Sequence, residues 1–219
     1  MKFDKFKKKG VKQNSDFHQL NYFVSNKPGF YLAFVLNKLN LTPNQVTISF
    51  IFVGLASAYF LANEYLFLSY LLWRFHIILD ISDGYIARAK KLYSSIGLIL
   101  DQIGHHLIYP TVIFSSLIYL QVFEEHPMLS LIFSLVFITQ WSLKYISSQK
   151  KFLKDGGNKI EYIFKRLVVN LFGIEGFYLS MFFYYFNFIQ NYHLLYFFTL
   201  TSSLMLFLKI FLILIKSKK

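Results

Sequence analysis

From its amino end the chain is polar as far as residue 27, and then alternates between long apolar runs and short polar breaks. The polar part holds Lys2, Lys5, Lys7, Lys8, Lys9 and Lys12 and reads as a basic, solvated tail drawn to an anionic membrane surface. Pro28 opens an apolar stretch that ends near Asn40. It is too short to cross a bilayer, which takes about 20 residues, so the pattern predicts a short amphipathic helix over residues 28–40, lying in the interface. Thr42-Pro43-Asn44-Gln45 has the form of a helix start, with Thr42 as N-cap, Pro43 in the first turn and Gln45 closing a capping box. Six apolar runs follow, over residues 46–62, 65–86, 95–122, 127–146, 167–189 and 194–215. The breaks between them are Asn63-Glu64, Arg88-Ala89-Lys90-Lys91, Glu124-Glu125-His126-Pro127, a long polar connection over 147–166, and Asn191-Tyr192-His193. Within the long connection, Asp155-Gly156-Gly157-Asn158 is the turn signal. The predicted protein is all-α and integral to the membrane. A tail (1–27) and an interfacial helix (28–40) precede one domain of six transmembrane helices (41–219).

Composition supports this without altering it. Of 219 residues, 55% are hydrophobic and 21% aromatic, which excludes disorder and leaves room for six spans of ~20 residues. There is no cysteine, so disulfide and thiolate chemistry are excluded. No secretory signal is expected, because the first apolar run follows a Lys-rich segment. Charge adds more. A net charge of +12 would suit nucleic acid, but every Lys and Arg except Arg74 lies ahead of the first span, at 88–91, at 144–166 or near the C-terminus. The remaining breaks hold Glu64, Glu124 and Glu125 and no basic residue except histidine. Segregation of this kind is the positive-inside pattern. It predicts a multi-pass protein with both termini and the candidate site on the cytoplasmic side, in the plasma or inner membrane if the cell is a bacterium, and no nucleic-acid partner.

The candidate chemistry is concentrated in residues 80–105. Asp80, Asp83, Gly84 and Ala87 fall on one helical stripe, and Gly97, Asp101 and His105 on a second. Ionisable residues at membrane depth are costly and point to function. Three carboxylates and an imidazole converging between two helices suit a divalent cation, Mg²⁺ or Mn²⁺, and the glycines leave room for a bulky ligand. The predicted topology puts the carboxylates at the cytoplasmic ends of their spans, with His105 one turn, roughly 6 Å, deeper. A soluble nucleotide and a membrane lipid can both reach such a pocket.

The spacing Asp80, two residues, Asp83-Gly84, two residues, Ala87-Arg88, eight residues, Gly97, three residues, Asp101, three residues, His105 closely resembles the signature of the CDP-alcohol phosphotransferase (phosphatidyltransferase) family. Seven of its eight fixed positions are met. The last is Asp in the family and His105 here. The Thr-Pro-Asn phrase before the first span is also common there. The resemblance implies a metal-dependent transferase of phospholipid biosynthesis. Such an enzyme moves a substituted phosphate from a CDP-linked donor, CDP-diacylglycerol or a CDP-alcohol, to an alcohol acceptor and releases CMP. It implies that Asp80, Asp83, Asp101 and His105 hold the metal, and that Asp80, Asp83, Gly84, Ala87, Arg88 and Gly97 meet the CDP moiety. It also implies that His105 takes the catalytic base position. Family members of this kind are usually homodimers.

Each residue also has a plainer reading. Asp80, Asp83 and Asp101 would pair with Arg88 or Arg74, Arg88 would serve only topology, and Gly97 only helix packing. His105 is a base, a ligand, or a packed residue in a catalytically silent member that binds nucleotide or lipid. An imidazole titrates near ~6.5 against ~3.9 for Asp, which suits a base near neutrality. His76 lies on the Asp80 stripe, as a second layer behind the ligands. Glu175, early in the fifth run, either faces the pocket or sits at the interface. A cation transporter is the remaining alternative, but its usual paired broken helices are absent from the pattern.

Overall fold

The computed structural model describes residues 25–149 and 174–217, together with Phe3, Phe6 and Gly10. Among these the chain is helical, with no strand: α1 Lys27–Lys38, α2 Pro43–Ala62, α3 Leu66–Lys90, α4 Ser95–Tyr119, α5 Val122–Glu125, α6 Pro127–Gln149, α7 Ile174–Tyr185 and α8 Asn191–Ser217. Two compact units divide it, Met1–Ser115 and Ser116–Lys219.

In the first unit, α1 buries Gly29, Phe30, Ala33 and Asn37 along one face. It packs on α3, where Ser82 Oγ donates to the Gly29 carbonyl at 2.8 Å. A Cβ at position 29 would come within 2.8 Å of Ile81, so the approach requires glycine. The α2 start is as the sequence predicts. Thr42 N–H donates to Gln45 Oε1 at 2.8 Å, and Gln45 N–H to Thr42 Oγ1 at 3.4 Å. Left-handed Glu64 closes a tight turn into α3. α3 in turn ends at left-handed Lys91, where Leu92 N–H reaches back to the Ala87 carbonyl at 3.0 Å. Ser94 then starts α4 by accepting from Gly97 N–H at 2.9 Å.

α2 is the common partner of the two helices that carry the candidate chemistry. Against α3 the contacts run antiparallel. Ser57 and Ser69 exchange side-chain-to-carbonyl bonds at 2.8 and 2.7 Å. His76 Nδ1 meets the Phe50 carbonyl at 3.1 Å, and Thr47 Oγ1 donates to Asp83 Oδ2 at 2.6 Å. Against α4 the contacts run parallel and depend on glycines. A Cβ at Gly97 would meet Asn44 at 2.7 Å, one at Gly104 would meet Phe50 at 2.7 Å, and one at Gly54 would meet Ile108 at 2.7 Å.

Phe3, Phe6 and Gly10, the described residues of the first 24, depart from the solvated tail expected there. Phe6 is fully buried, its ring 5.6 Å from Phe30 and 5.7 Å from Phe34. Phe3 packs on Phe30, Tyr31 and Phe34. Phe3, Phe6 and Gly10 are spaced three and four apart, one face of a helix hidden among lysines.

The second unit has an aromatic core, Phe133, Phe137, Phe177 and Phe198, with successive rings 4.9 to 6.0 Å apart. Several boundaries differ from the sequence reading, and the break expected at Arg88-Ala89-Lys90-Lys91 is one of them, because α3 runs on through Lys90. The third run ends at Tyr119, and left-handed Gln121 leads into the one-turn α5. Asn191-Tyr192-His193 opens α8 instead of forming a turn; the break falls at residues 186–190. Asn191 is held there because its Nδ2 donates to the Leu120 carbonyl at 3.0 Å and to Glu125 at 3.2 Å, while its Oδ1 accepts from Tyr192 N–H. The turn at 155–158 lies outside the described residues.

Among the described residues one helix, α2, is long and apolar enough to cross a membrane, and Pro127–Thr139 is apolar but shorter. α3 does not qualify because Arg74, Asp80 and Asp83 interrupt its apolar length, and α4 carries Asp101, Gln102, His105 and His106. The residues that suggest chemistry are thus the ones that lower the hydropathy of their helices. The outer faces stay apolar, with Phe52, Tyr59, Phe67, Leu71, Ile96, Ile99 and Ile103 exposed, and the helices fit a membrane protein.

Candidate active site

Asp80 on α3 and Asp101 and His105 on α4 bring one ligand atom each to within 4.8 Å of one another. His105 Nε2 stands 3.5 Å from Asp80 Oδ1 and 3.5 Å from Asp101 Oδ1. Their side-chain exposures, 20% for His105, 29% for Asp80 and 40% for Asp101, order them from the deepest to the mouth. Phe50 stacks on the His105 ring at 5.7 Å, and Tyr109 lies 5.6 Å away on the same helix. Apolar walls on an imidazole between two carboxylates leave it few orientations.

Two carboxyls facing one nitrogen are accommodated by a proton shared among the three groups or by a cation. A cation fits. Ligand atoms sharing an ion at ~2.1 Å lie ~3.0 to ~3.4 Å apart for right-angle or tetrahedral placement; His105 Nε2 is 3.5 Å from each carboxylate, and the three atoms together lie within 4.8 Å. Oxygen and imidazole donors suit a divalent ion of the Mg²⁺ or Mn²⁺ kind.

Asp83 is not in this group of three. It stands one turn further along α3, with Thr47 donating to it at 2.6 Å. Next to it, the Arg88 guanidinium folds back across Gly84, where a Cβ would lie 3.0 Å from Arg88 Nη1. The Arg88 Nε–H donates to the Gly10 carbonyl at 2.8 Å. Ala87 is half-buried on the same helix end. Gly97 faces Asn44 and the Ser94 hydroxyl. His76 is buried behind the site, its ring 6.5 Å from that of His105 and 5.2 Å from those of Phe50 and Trp73. Arg74, in the second predicted span, donates to Ser25 Oγ at 2.6 Å. The Glu175 side chain lies outside the described residues.

Sequence reasoning missed Thr47, Asn44, Phe50 and Gly104 as parts of the site. Their signal was the spacing from Pro43 along α2 and the seven-residue interval from Gly97 to Gly104, which is readable only once α2 is known to lie against both other helices.

The fold and the site together define a helical, membrane-type protein in which Asp80, Asp101 and His105 could hold a metal ion, with Arg88 folded over Gly84 on the same helix as Asp80. The family model described as CDP-alcohol phosphatidyltransferase matches residues 40–215, and the chain belongs to that family, one of transferases of phospholipid biosynthesis. None of the individually curated proteins compared with the chain matches it.

Proposed function

We propose that this protein crosses the membrane six times and, at its cytoplasmic face, transfers a substituted phosphate from a CDP-linked donor to an alcohol acceptor, with release of CMP. CDP-diacylglycerol is the donor we favour. The observation that carries this reading is the convergence of Asp80, Asp101 and His105 within 4.8 Å, next to Arg88 folded over Gly84. Asp80, Asp83 and Asp101 would hold Mg²⁺ or Mn²⁺, which when bound neutralises and polarises the diphosphate. Arg88 meets the phosphates with a planar fork of N–H donors. Gly84, Ala87 and Gly97 leave the donor room. His105 Nε2 takes the proton of the acceptor hydroxyl as its oxygen bonds to the β-phosphorus. The bond from that phosphorus to the bridging oxygen breaks, and CMP leaves. One nitrogen cannot hold an ion and take a proton at once, so in this role the carboxylates alone hold the ion. His76 fixes the floor behind His105.

A second reading has an observation in its favour. An imidazolium at 3.5 Å from both carboxylates would itself offset one of their two charges, as in a silent member that binds nucleotide or lipid. The purified protein in lipid nanodiscs, given CDP-diacylglycerol and a panel of alcohols, separates the two. CMP release that depends on a divalent ion supports the transferase, and mass spectrometry of the lipid product names the acceptor. CDP binding without CMP release from any donor would support the silent reading instead.

A further inference from the structure

Arg88 sits in the last turn of α3, at a helix end where a long side chain has many rotamers and little to hold it. Its Nε–H nevertheless has a fixed partner, the Gly10 carbonyl at 2.8 Å, and its face lies 5.0 Å from the centroid of the Tyr85 ring. Gly10 is buried and close to Tyr85 and Ala89, the nearest atom to a Cβ there being the Tyr85 carbonyl oxygen at 3.3 Å. One helical turn earlier, the fully buried Phe6 ties the same segment to Phe30 and Phe34 of α1. Phe30 in turn packs edge-on against Tyr85 at 5.5 Å. A continuous chain of contacts therefore joins the N-terminal segment, α1 and the motif arginine.

We propose that the N-terminal segment is a positioning element of the donor site: docked through Phe3 and Phe6, it uses the Gly10 carbonyl to hold Arg88 Nε and aim the two Nη groups across Gly84 at the donor's diphosphate. The inference rests on the transferase reading and adds to it a part of the site that lies outside the signature. The chemistry suits the task. A guanidinium offers five N–H donors in a rigid fork, and fixing one of them orients the other four. A neutral carbonyl does this without cancelling the positive charge, as a carboxylate partner would. The carbonyl leaves both Nη groups on the Gly84 side, where the missing side chain makes space.

The test is CDP binding to the full chain in nanodiscs with Mn²⁺ present, alongside kcat and KM for CDP-diacylglycerol. Arg88→Ala should weaken CDP binding by about tenfold or more, the range for a hydrogen bond to a charged group. Phe6→Asp undocks the segment, and Gly10→Val pushes the carbonyl away from Arg88 while leaving both phenylalanine anchors in place. Each should weaken CDP binding by about threefold or more and raise KM more than it lowers kcat. Neither should weaken binding further in an Arg88→Ala background. Gly10→Val decides the matter if Phe6→Asp does not fold. Parent-like CDP binding by Gly10→Val, or an equal loss with and without Arg88, would overturn the inference and leave the transferase reading standing. Parent-like binding by Arg88→Ala itself would instead overturn the reading of the donor site, and the inference with it.

Discussion

Replacing Thr47 by valine removes a hydroxyl and barely changes the shape of a side chain that is 3% exposed. The hydroxyl stands 2.6 Å from Asp83 Oδ2 and 3.0 Å from the Pro43 carbonyl. Its single proton serves the shorter, carboxylate contact better. No cavity forms, so the expected cost is that of the hydrogen bond and of a carboxylate left short of a donor. Hydrogen bonds to charged groups contribute ~1.5 to ~3 kcal/mol, or ~10- to ~150-fold in an equilibrium or rate at ~1.4 kcal/mol per decade. If Thr47 orients Asp83 for the ion, Thr47→Val should bind Mn²⁺ about tenfold or more weakly, measured by calorimetry or by the loss of the free-ion EPR signal. CMP release should fall to a similar extent, and Thr47→Ser should restore most of both. A Thr47→Val protein with a lowered melting temperature but parent-like Mn²⁺ binding and CMP release would refute the reasoning. So would a Thr47→Ser protein as poor as the valine variant, which would make the methyl group the important atom.

Asp80→Asn and Asp101→Asn keep their shape and lose a charge each; both should abolish CMP release and Mn²⁺ binding while circular dichroism stays helical, and retained activity in either would remove it from the ligand set. His105→Ala should lose most CMP release if the imidazole is the base, whereas His105→Asp should keep part of it and move the metal preference from Mn²⁺ towards Mg²⁺; a parent-like alanine variant would leave the base elsewhere. Gly104→Ala should destabilise by about 1 kcal/mol or more through overpacking against Phe50 and Ile51, against the usual gain of ~1 kcal/mol for alanine over glycine in a helix, as read from thermal unfolding. A cysteine placed at Glu124 should react with an impermeant thiol reagent added outside the cell, and one at Lys90 should not; the reverse pattern would put the carboxylates on the wrong side for a cytoplasmic nucleotide.

What could be read from the sequence was local. The Thr42–Gln45 cap is a contact between residues three apart, and it formed as expected. The two acidic stripes were visible because helical periodicity places Asp101 and His105 on one face, and Asp80 met them because its helix is their neighbour in space. What escaped needed knowledge of which helix lies against which. Thr47 is one hydroxyl among many until α2 is placed beside α3. Asp83 stands one turn along α3 from Asp80, and its partner Thr47 comes from α2. Phe3 and Phe6 were read as tail because lysines outnumber them; burial is decided by the face a helix presents, not by average polarity. Hydropathy misleads in the opposite sense for α3 and α4, where the charged residues of the site dilute an apolar helix.

The shared use of α2 has a further consequence. α3 and α4 carry the carboxylates, yet each is aligned by contacts with a third helix that supplies none of the three ligand atoms. α2 therefore acts as a gauge bar: the gap between Asp80 and Asp101 is the difference of two offsets, both measured from the same rod. Ser57 is ten residues from Thr47, ~15 Å along that rod. Its paired bonds with Ser69 fix how far α3 can slide, and hence how closely Asp80 approaches Asp101. A slip of α3 at the Ser57 end would be felt as a changed ion preference at the other, without any ligand being touched.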